Sequence, residues 1–291
     1  HTLSLHDALP ISLTAVGSGH MVDLYEASSW LGGQLDMAAV VPGRADLMRI
    51  LDYYTTALLE AGVQLHLGHE LTLEQILEAG PDHVVVATGA QPMESSIPGA
   101  DGPDVVQAWD LLRNDPPLGR RVAVIGGGAV GLDAALYLSA KGTLDPETLH
   151  FLMFHHAEPD ARLHELLDRG SKEVVVFEKL RKAGKDLGRS SRWVVMVEAE
   201  KRGVEIRTNV AVTSIDEDRT VHYTRKLADG QERDASEKFD SVVLALGARP
   251  VDPFTEPLAG KGIEATRIGD CVKPARIIDA IEAARSAARK I

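Results

Sequence analysis

Three glycines at a fixed spacing lie between a predicted strand and a predicted helix. The run VAVIGGGAVGLDAA, residues 122–135, places Gly126, Gly128 and Gly131 at the glycine positions of the pattern G-x-G-x-x-G. The first glycine permits a tight turn, the second lets the backbone approach a pyrophosphate, and the third lets the helix pack closely on the strand. The phosphate charge would then lie at the helix N-terminus. The pattern predicts a dinucleotide site, and the alternative is a glycine-rich turn in an α/β protein that binds no ligand.

An acidic residue ends the next long apolar strand. Glu178 closes the run EVVVFE, where a carboxylate is expected to accept hydrogen bonds from the hydroxyls of an adenosine ribose. The acid favours NAD, because the 2′-phosphate of NADP would meet like charge. Three basic residues just beyond it could accommodate NADP instead, namely Lys179, Arg181 and Lys182. The alternative is a solvated strand end without a ligand.

The separation between Gly131 and Glu178 is much longer than the usual ~20 residues. The additional length maps to residues 143–170, where Asp145-Pro146 is a favourable helix start. Apolar residues at helical spacing follow it and predict two helices. We therefore expect a helical insertion between the glycine-rich helix and the acidic strand.

Most of the chain alternates between predicted strands and helices, which is typical of a parallel sheet covered by helices. Two segments occur twice. HVVVATGAQP at residues 83–92 parallels SVVLALGARP at residues 241–250, and VDLYE at residues 22–26 parallels VVVFE at residues 174–178. The predicted fold class is therefore α/β, with two Rossmann-like halves that repeat one βαβ plan.

The first half contains an acid that corresponds to Glu178 but lacks a usable glycine pattern. Glu26 ends the strand, while Gly17 and Gly19 precede it too closely to form its phosphate loop, and we interpret them as the turn after the first helix. The strand and phosphate loop that the repeat requires would lie upstream. Residues 1–12, HTLSLHDALPIS, fit no pattern of the following chain and resemble a translated library adapter, so we expect this segment to be non-native.

Several turns after predicted strands contain the residue types of ligand-binding loops. They are Gly32, Gly33 and Gln34 after the first strand, Gly89 and Gly247 after the two repeated strands, and Gly269 with Asp270 before the last helix. Glycines in such places let the backbone approach a ligand, and Asp270 could accept hydrogen bonds from a polyol. For the first turn the alternative is a helix-capping loop. Each turn alone is weak evidence, and their order along the chain is what makes the set specific.

The composition excludes several classes of protein. The 291 residues are 44% apolar and 25% charged and carry a formal charge of −12. Nucleic acid is a poor partner for such an acidic chain, and no apolar run approaches the ~20 residues of a membrane span. The single Cys271 excludes an internal disulfide, a CxxC redox pair and a cysteine-rich zinc site. A reducing, cytoplasmic location fits best.

Other chemically active residue types favour structural roles. The histidines of the predicted insertion lack a carboxylate or cysteine pattern beside them, so no metal site is predicted. Trp193 and Met196 are three residues apart on a predicted helix, which favours a place in the core. Cys271 has no partner cysteine, and packing is its expected role.

Together these motifs resemble those of the two-dinucleotide-binding flavoproteins. More narrowly, the sequence from about residue 18 is similar to the C-terminal half of the 2,4-dienoyl-CoA reductases and related NADH:flavin oxidoreductases of the Old Yellow Enzyme type. The similarity rests on YEASSWLGGQL, VVVATGAQP, IPGADGP, VAVIGGGAVGLDAA, AGKDLGRSSRWV and RIGDCVKP. In that family an N-terminal barrel holds FMN and a 4Fe–4S cluster, while the C-terminal half holds FAD and receives hydride from NAD(P)H.

The resemblance implies site residues and domain bounds. Asp270 would bind the ribityl chain of FAD. The other implied FAD contacts are Glu26, Gln34, Arg44 and Leu71, with Ile277, Ile278 and Asp279 facing the flavin pyrimidine at the start of the last helix. The FAD-binding domain would comprise residues 13–103 and 239–291, and an NAD(P)-binding domain of residues 104–238 would be inserted in it.

The predicted function is an FAD-dependent oxidoreductase module that accepts hydride from NAD(P)H. It would pass electrons to an upstream FMN and iron–sulfur barrel, which would reduce an enone or enoyl-type substrate. No barrel, cluster cysteines or first phosphate loop occur in these 291 residues. No catalytic acid or base is predicted, because hydride transfer is the chemistry of the cofactors. The alternative is a module that holds NAD(P) without turnover, and the lone cysteine disfavours a disulfide reductase.

Overall fold

The computed structural model describes residues 5–227 and 229–291, so residues 1–4 of the segment expected to be non-native lie outside the described residues. The chain divides into two compact units. The first unit comprises residues up to 39, residues 44–93 and residues 248–291, and the second comprises residues 40–43 and 94–247. Within the described ranges, no helix is both long and apolar enough to cross a lipid bilayer.

Strands and helices alternate along both units. Up to residue 93 the elements are α1 (Leu5–Gly17), β1 (Asp23–Glu26), α2 (Leu35–Ala39), a 3-10 turn (Ala45–Leu47), α3 (Met48–Glu60), β2 (Gln64–Leu67), α4 (Leu73–Ala79), β3 (Val84–Val86) and β4 (Ala90–Pro92). Next come β5 (Val105–Gln107), α5 (Ala108–Asn114), β6 (Arg121–Ile125), α6 (Ala129–Ser139), α7 (Pro146–Phe154), α8 (Asp160–Asp168), β7 (Glu173–Glu178), α9 (Arg189–Lys201), β8 (Glu205–Thr208), β9 (Val210–Ile215), β10 (Thr220–Lys226), β11 (Glu232–Lys238) and β12 (Ser241–Leu244). The chain continues with β13 (Ala248–Pro250), α10 (Thr255–Ala259), β14 (Ala265–Arg267), a second 3-10 turn (Gly269–Cys271) and α11 (Ile277–Ala288).

The second unit is built on a five-stranded parallel sheet with the strand order β5-β12-β6-β7-β8. Its three middle strands are largely buried, which explains their continuous apolar runs. Ile125 of β6 pairs with Phe177 of β7, so the glycine-rich turn and Glu178 follow at the same edge of the sheet. The sequence assigns residues 239–291 to the FAD-binding domain. In the structure, however, β12 belongs to the second unit, where it pairs with β5 and β6. An apolar run predicts a buried strand, but it does not specify which sheet the strand joins.

The second unit also contains a pair of helices and an antiparallel meander. Helices α7 and α8 occupy the predicted insertion, and the carboxylate of Asp145 accepts hydrogen bonds from the first backbone N–H groups of α7. Strands β9, β10 and β11 form an antiparallel meander. The large aromatic side chains Phe177 and Phe239 pack edge to face in the core beside this meander.

The expected core position of Trp193 is wrong. Its side chain is 69% exposed, whereas Val195 and Ala199 on the same helix are buried. Residues four apart on a helix share one face, and Trp193, two positions before Val195, points away from that face. The spacing of Trp193 and Met196 predicts the helix but does not identify which side of α9 is buried.

The first unit contains short sheets rather than one continuous sheet. Strands β1 and β2 form one parallel pair, β3 and β14 form another, and β4 pairs antiparallel with β13. Helix α1 packs against α11, and its residues Leu9 and Ile11 are buried. Residues 5–12, which carry no recognisable pattern, therefore form part of a helix that contributes to the apolar core of this unit.

Candidate functional site

The glycine-rich turn of the second unit excludes side chains at two positions. Gly126 has a φ of 107°, and a Cβ there would lie 2.2 Å from the carbonyl oxygen of Ala245. A Cβ on Gly131 would lie 1.9 Å from the carbonyl oxygen of Gly126. These contacts explain the first and third glycines of the predicted pattern, because the turn and the close approach of α6 both require a missing side chain.

Glu178 is held against this turn from the neighbouring strand. Its carboxylate is 7% exposed, and Oε2 accepts a hydrogen bond of 2.7 Å from the backbone N–H of Gly127. Oε1 accepts a second hydrogen bond of 2.7 Å from the N–H of Leu180. Each carboxylate oxygen has two acceptor sites, so Glu178 retains the capacity to accept from ligand hydroxyls. The glycine-rich turn and the acidic strand end are therefore in direct contact, and their binding of a dinucleotide stays a prediction.

A cavity of about 380 Å³ opens beside the turn. It is lined by Gly127, Gly128, Glu178, Leu180, Lys182, Lys185 and Asp186. Lys182 is one of the basic residues that could accommodate a 2′-phosphate, whereas the sequence predicts no role for Lys185 or Asp186. These two lie in the segment AGKDLGRSSRWV, but no local pattern indicates that the segment folds back onto the glycine-rich turn.

Glu26 of the first unit repeats part of this arrangement. Its side chain is fully buried, and Oε1 accepts a hydrogen bond of 2.5 Å from the N–H of Ser28. This matches the bond between Glu178 and Leu180, because in both cases the acid accepts from the residue two positions later. Oε2 of Glu26 has no hydrogen-bond partner within the described residues. A buried acceptor without a donor fits a ligand hydroxyl, such as those of the FAD ribose.

Burial raises the pKa of Glu26 above its ordinary value of 4.5, and the hydrogen bonds from Ser28 offset this only in part. Folding therefore favours the protonated carboxyl, and the stability that Glu26 contributes is lost as the pH rises above that value. We expect Glu26→Gln to stabilise the cofactor-free chain near pH 8 and to change its stability little near pH 4. Urea unfolding of both proteins across this pH range measures the difference.

Glu178→Gln is the matched control, because both oxygens of Glu178 already accept backbone hydrogen bonds. That variant is expected to be less stable than the wild type under the same conditions. A difference between Glu26→Gln and the wild type that did not grow with pH would contradict the prediction.

Two other predicted FAD contacts lie together in the first unit. The side-chain N–H of Gln34 donates to Oδ2 of Asp270 at 2.8 Å, and Oδ1 of Asp270 accepts from the N–H of Ala275 at 3.0 Å. Asp270 is only 4% exposed. The two residues are separated by 236 positions, and their contact is a feature of the fold that no local pattern indicates.

The glycines of these predicted loops have left-handed backbone conformations. Gly32 has a φ of 120°, and a Cβ there would lie 2.4 Å from Cδ1 of Leu51. The remaining values of φ are 53° for Gly33, 71° for Gly89, 103° for Gly247 and 64° for Gly269. Gly89 belongs to the first unit and Gly247 is the last residue of the second.

The other predicted contacts are placed on loops and on the start of α11. Arg44 precedes the first 3-10 turn, and Leu71 lies half-buried between β2 and α4. Ile277 packs against the core of the first unit, whereas Ile278 is 51% exposed. Asp279 accepts hydrogen bonds of 2.8 and 2.7 Å from the guanidinium of Arg276, which lowers its pKa to about 2. The flavin contact of these residues stays a prediction.

Cys271 is buried and 1% exposed, with Sγ 3.1 Å from the carbonyl oxygen of Val86 and 3.0 Å from that of Ile268. This environment confirms its expected packing role. It also shows that the thiol lies inside the first unit, where solvent does not reach it.

The two units have the fold of the NAD(P)H-dependent flavoprotein oxidoreductases, with acidic strand ends in both units and a glycine-rich turn in the second. Proteins of this class use FAD and NAD(P)H. The family model described as pyridine nucleotide-disulphide oxidoreductase matches residues 12–272, and the chain belongs to this family. The resemblance to the C-terminal half of dienoyl-CoA reductase-like enzymes is confirmed.

Several known proteins are similar over nearly all of this chain. A metal reductase of Desulforamulus reducens is 35% identical over 97% of this chain and 42% of its own length. An NADH oxidase of Thermoanaerobacter brockii is 32% identical over 93% of this chain and 37% of its own length. The solved complex of 2-naphthoyl-CoA reductase with 2-naphthoyl-CoA is 25% identical, with a TM-score of 0.81 over 99% of this chain and 39% of that chain. The chain thus spans about two fifths of these relatives.

Proposed function

We propose that this chain is the electron-entry part of a larger flavoenzyme. NAD(P)H would bind at Gly126, Gly128, Gly131 and Glu178, and its hydride would pass to FAD held by the first unit. Electrons would then reach an FMN and 4Fe–4S barrel upstream, which would reduce an enone or enoyl-type substrate. The observation that carries the proposal is the pair of buried glutamates, Glu26 and Glu178, at corresponding strand ends of the two units.

The residues of this chain would bind and orient the cofactors. When bound, nicotinamide and flavin supply the hydride chemistry themselves, so no acid or base of the chain is needed. The carboxylate of Glu178 would accept from ribose hydroxyls and favour NAD. Lys182 and Lys185, on the same cavity, are the residues that could pair with a 2′-phosphate.

The comparison of the two units supports a further strand in the complete FAD site. In the second unit β6 lies between β12 and β7. Their repeats in the first unit are β3 and β1, which within the described residues belong to separate sheets. We infer that in the complete FAD site a strand followed by a phosphate loop lies between β3 and β1, as β6 lies between β12 and β7. The inference agrees with Oε2 of Glu26, because the corresponding oxygen of Glu178 accepts from the N–H of the phosphate loop.

The relatives support a role in supplying electrons rather than in choosing the substrate. Proteins named for reduction of metal, oxidation of NADH and reduction of 2-naphthoyl-CoA share this part of the chain. Two of these names give different acceptors, metal and 2-naphthoyl-CoA, which supports the proposal that the substrate is chosen outside the shared part. The lone cysteine suits a reducing compartment, and we place the module in the cytoplasm.

A second candidate is a module that holds NAD(P) without turnover. It is favoured by the buried oxygen of Glu26 that has no donor within the described residues, because an incomplete first unit would retain FAD poorly. Both candidates share the dinucleotide site of the second unit and differ only in the binding of FAD.

Calorimetric titration separates the two candidates. The present chain is expected to bind NADH at micromolar concentration, and micromolar binding of FAD would reject the second candidate. A protein extended upstream by its native strand and glycine loop is expected to carry a flavin absorbance that bleaches on addition of NADH. No flavin absorbance, or no bleaching, would defeat the proposed function. Glu26→Gln and Glu178→Gln are matched controls, because the first should weaken only FAD binding and the second only NADH binding.

A further inference from the structure

The N-terminus of α6 is capped by a side chain from a distant loop. The N-cap residue Gly128 has no side chain that could accept a hydrogen bond. Instead, the N–H of Ala129 donates to the carboxylate of Asp186, at 2.9 Å from Oδ2 and 3.1 Å from Oδ1. Free N–H groups and the helix dipole make this end of a helix favourable for an anion.

The carboxylate also lies against the second glycine of the phosphate loop. A Cβ on Gly128 would be 3.1 Å from Oδ2 of Asp186. That glycine is the one whose bare backbone lets a pyrophosphate come close. Asp186 therefore lies at the N–H group where the phosphates of the proposed dinucleotide would bind, and two negatively charged groups at one N–H group repel each other.

We propose that Asp186 is a built-in competitor of the dinucleotide, an inference that rests on the proposed NAD(P) site. In the nucleotide-free chain the carboxylate of Asp186 accepts the hydrogen bond from the N–H of Ala129 at the start of α6. When NAD(P)H binds, a phosphate oxygen replaces this carboxylate at the N–H of Ala129. The hydrogen bond between Ala129 and Asp186 must first be broken, and this lowers the affinity for the dinucleotide.

The loop around Asp186 allows this exchange without unfolding. The N–H of Gly184 donates to the carbonyl of Gly127 at 2.6 Å, and the carbonyl of Ala183 accepts from the side chain of Arg192 at 2.7 Å. Ala183 is buried, whereas Asp186 is exposed. The base of the loop is thus anchored to the phosphate loop and to α9, while the carboxylate can rotate into solvent. Lys185, also on the cavity, would stay near the incoming phosphates.

Asp186→Asn tests the proposal, because it retains an acceptor of the same shape but removes the charge. Calorimetry of the full chain should show NADH binding about tenfold tighter than in the wild type. Adenosine, which has no phosphate, should bind both proteins equally. Asp186→Ala, which removes the acceptor as well, should also bind NADH more tightly and guards against an effect of the new amide.

Asp145→Asn is the matched control. Asp145 also accepts backbone hydrogen bonds at a helix N-terminus of the second unit, but it does not line the cavity. The affinity of the Asp145→Asn variant for NADH should equal that of the wild type. If the wild type binds NADH and neither Asp186 variant binds it more tightly, the inference is overturned while the proposed site remains intact. Failure of the wild type and all variants to bind NADH would overturn both.

Discussion

Replacement of Gly131 by alanine is expected to abolish NADH binding and to destabilise the second unit by about 2–3 kcal/mol. The new Cβ would stand 1.9 Å from the carbonyl oxygen of Gly126 and 3.2 Å from Cβ of Ala245. Neither neighbour is the end of a flexible side chain, so relief requires movement of α6 away from β6. That movement would open the turn that the pyrophosphate needs, and stability and binding should fall together.

Urea unfolding and calorimetric titration with NADH measure the two effects. Gly188→Ala is the control, because it makes the same substitution in the same unit at a φ of −59°, where the nearest atom to a new Cβ is Oγ of Ser191 at 3.9 Å. This variant should bind NADH like the wild type and lose less than about 1 kcal/mol. An unfolding midpoint for Gly131→Ala equal to that of the control would show that the close approach is not needed.

Glu178→Gln is expected to weaken NADH binding by at least about tenfold and to lower the free energy of unfolding by about 1–3 kcal/mol. Both oxygens of Glu178 accept from backbone N–H groups, one from Gly127 and one from Leu180. Whichever way the glutamine amide turns, its NH2 group faces one of these donors. The buried N–H group of either Gly127 or Leu180 thereby loses its acceptor.

Titration with NADH and with NADPH reports the binding effect. The loss should be larger for NADH than for NADPH, because removal of the charge lessens repulsion of the 2′-phosphate. Glu173→Gln is the control at the other end of the same strand, where the carboxylate forms an exposed ion pair of 2.8 Å with Arg120. Exposed pairs contribute about 0–1 kcal/mol, so this variant should bind NADH normally. Equal affinities of the two variants would contradict the role of Glu178.

Much of the second unit could be predicted because its signals are local. A strand, Arg121–Ile125, precedes the glycines and a helix that begins at Ala129 follows them, as the sequence predicts. The apolar run, the glycine spacing and the Asp145-Pro146 helix start each depend on neighbours along the chain. Such patterns reflect backbone conformation and burial, which a short segment determines for itself.

The pairing of segments was less accessible to sequence reasoning. The run SVVL specified a buried strand, yet its partners β5 and β6 became known only from the fold. The predicted core position of Trp193 is wrong, because helical spacing does not reveal which face of α9 is buried. Asp186 had no assigned role, since the residue that it caps lies 57 positions away.

The sequence by itself determined the residue types at the nucleotide site. Glycines at 126 and 131 and an acid at 178 follow from backbone geometry and from the place where an apolar run ends. Only the tertiary structure decided how these groups are connected. It joins Glu178 to the N–H of Gly127, directs Asp186 to the N–H of Ala129, and leaves Oε2 of Glu26 without a donor among the described residues. Hydrogen bonds between distant segments depend on how the elements pack, and no local pattern of residues encodes that packing.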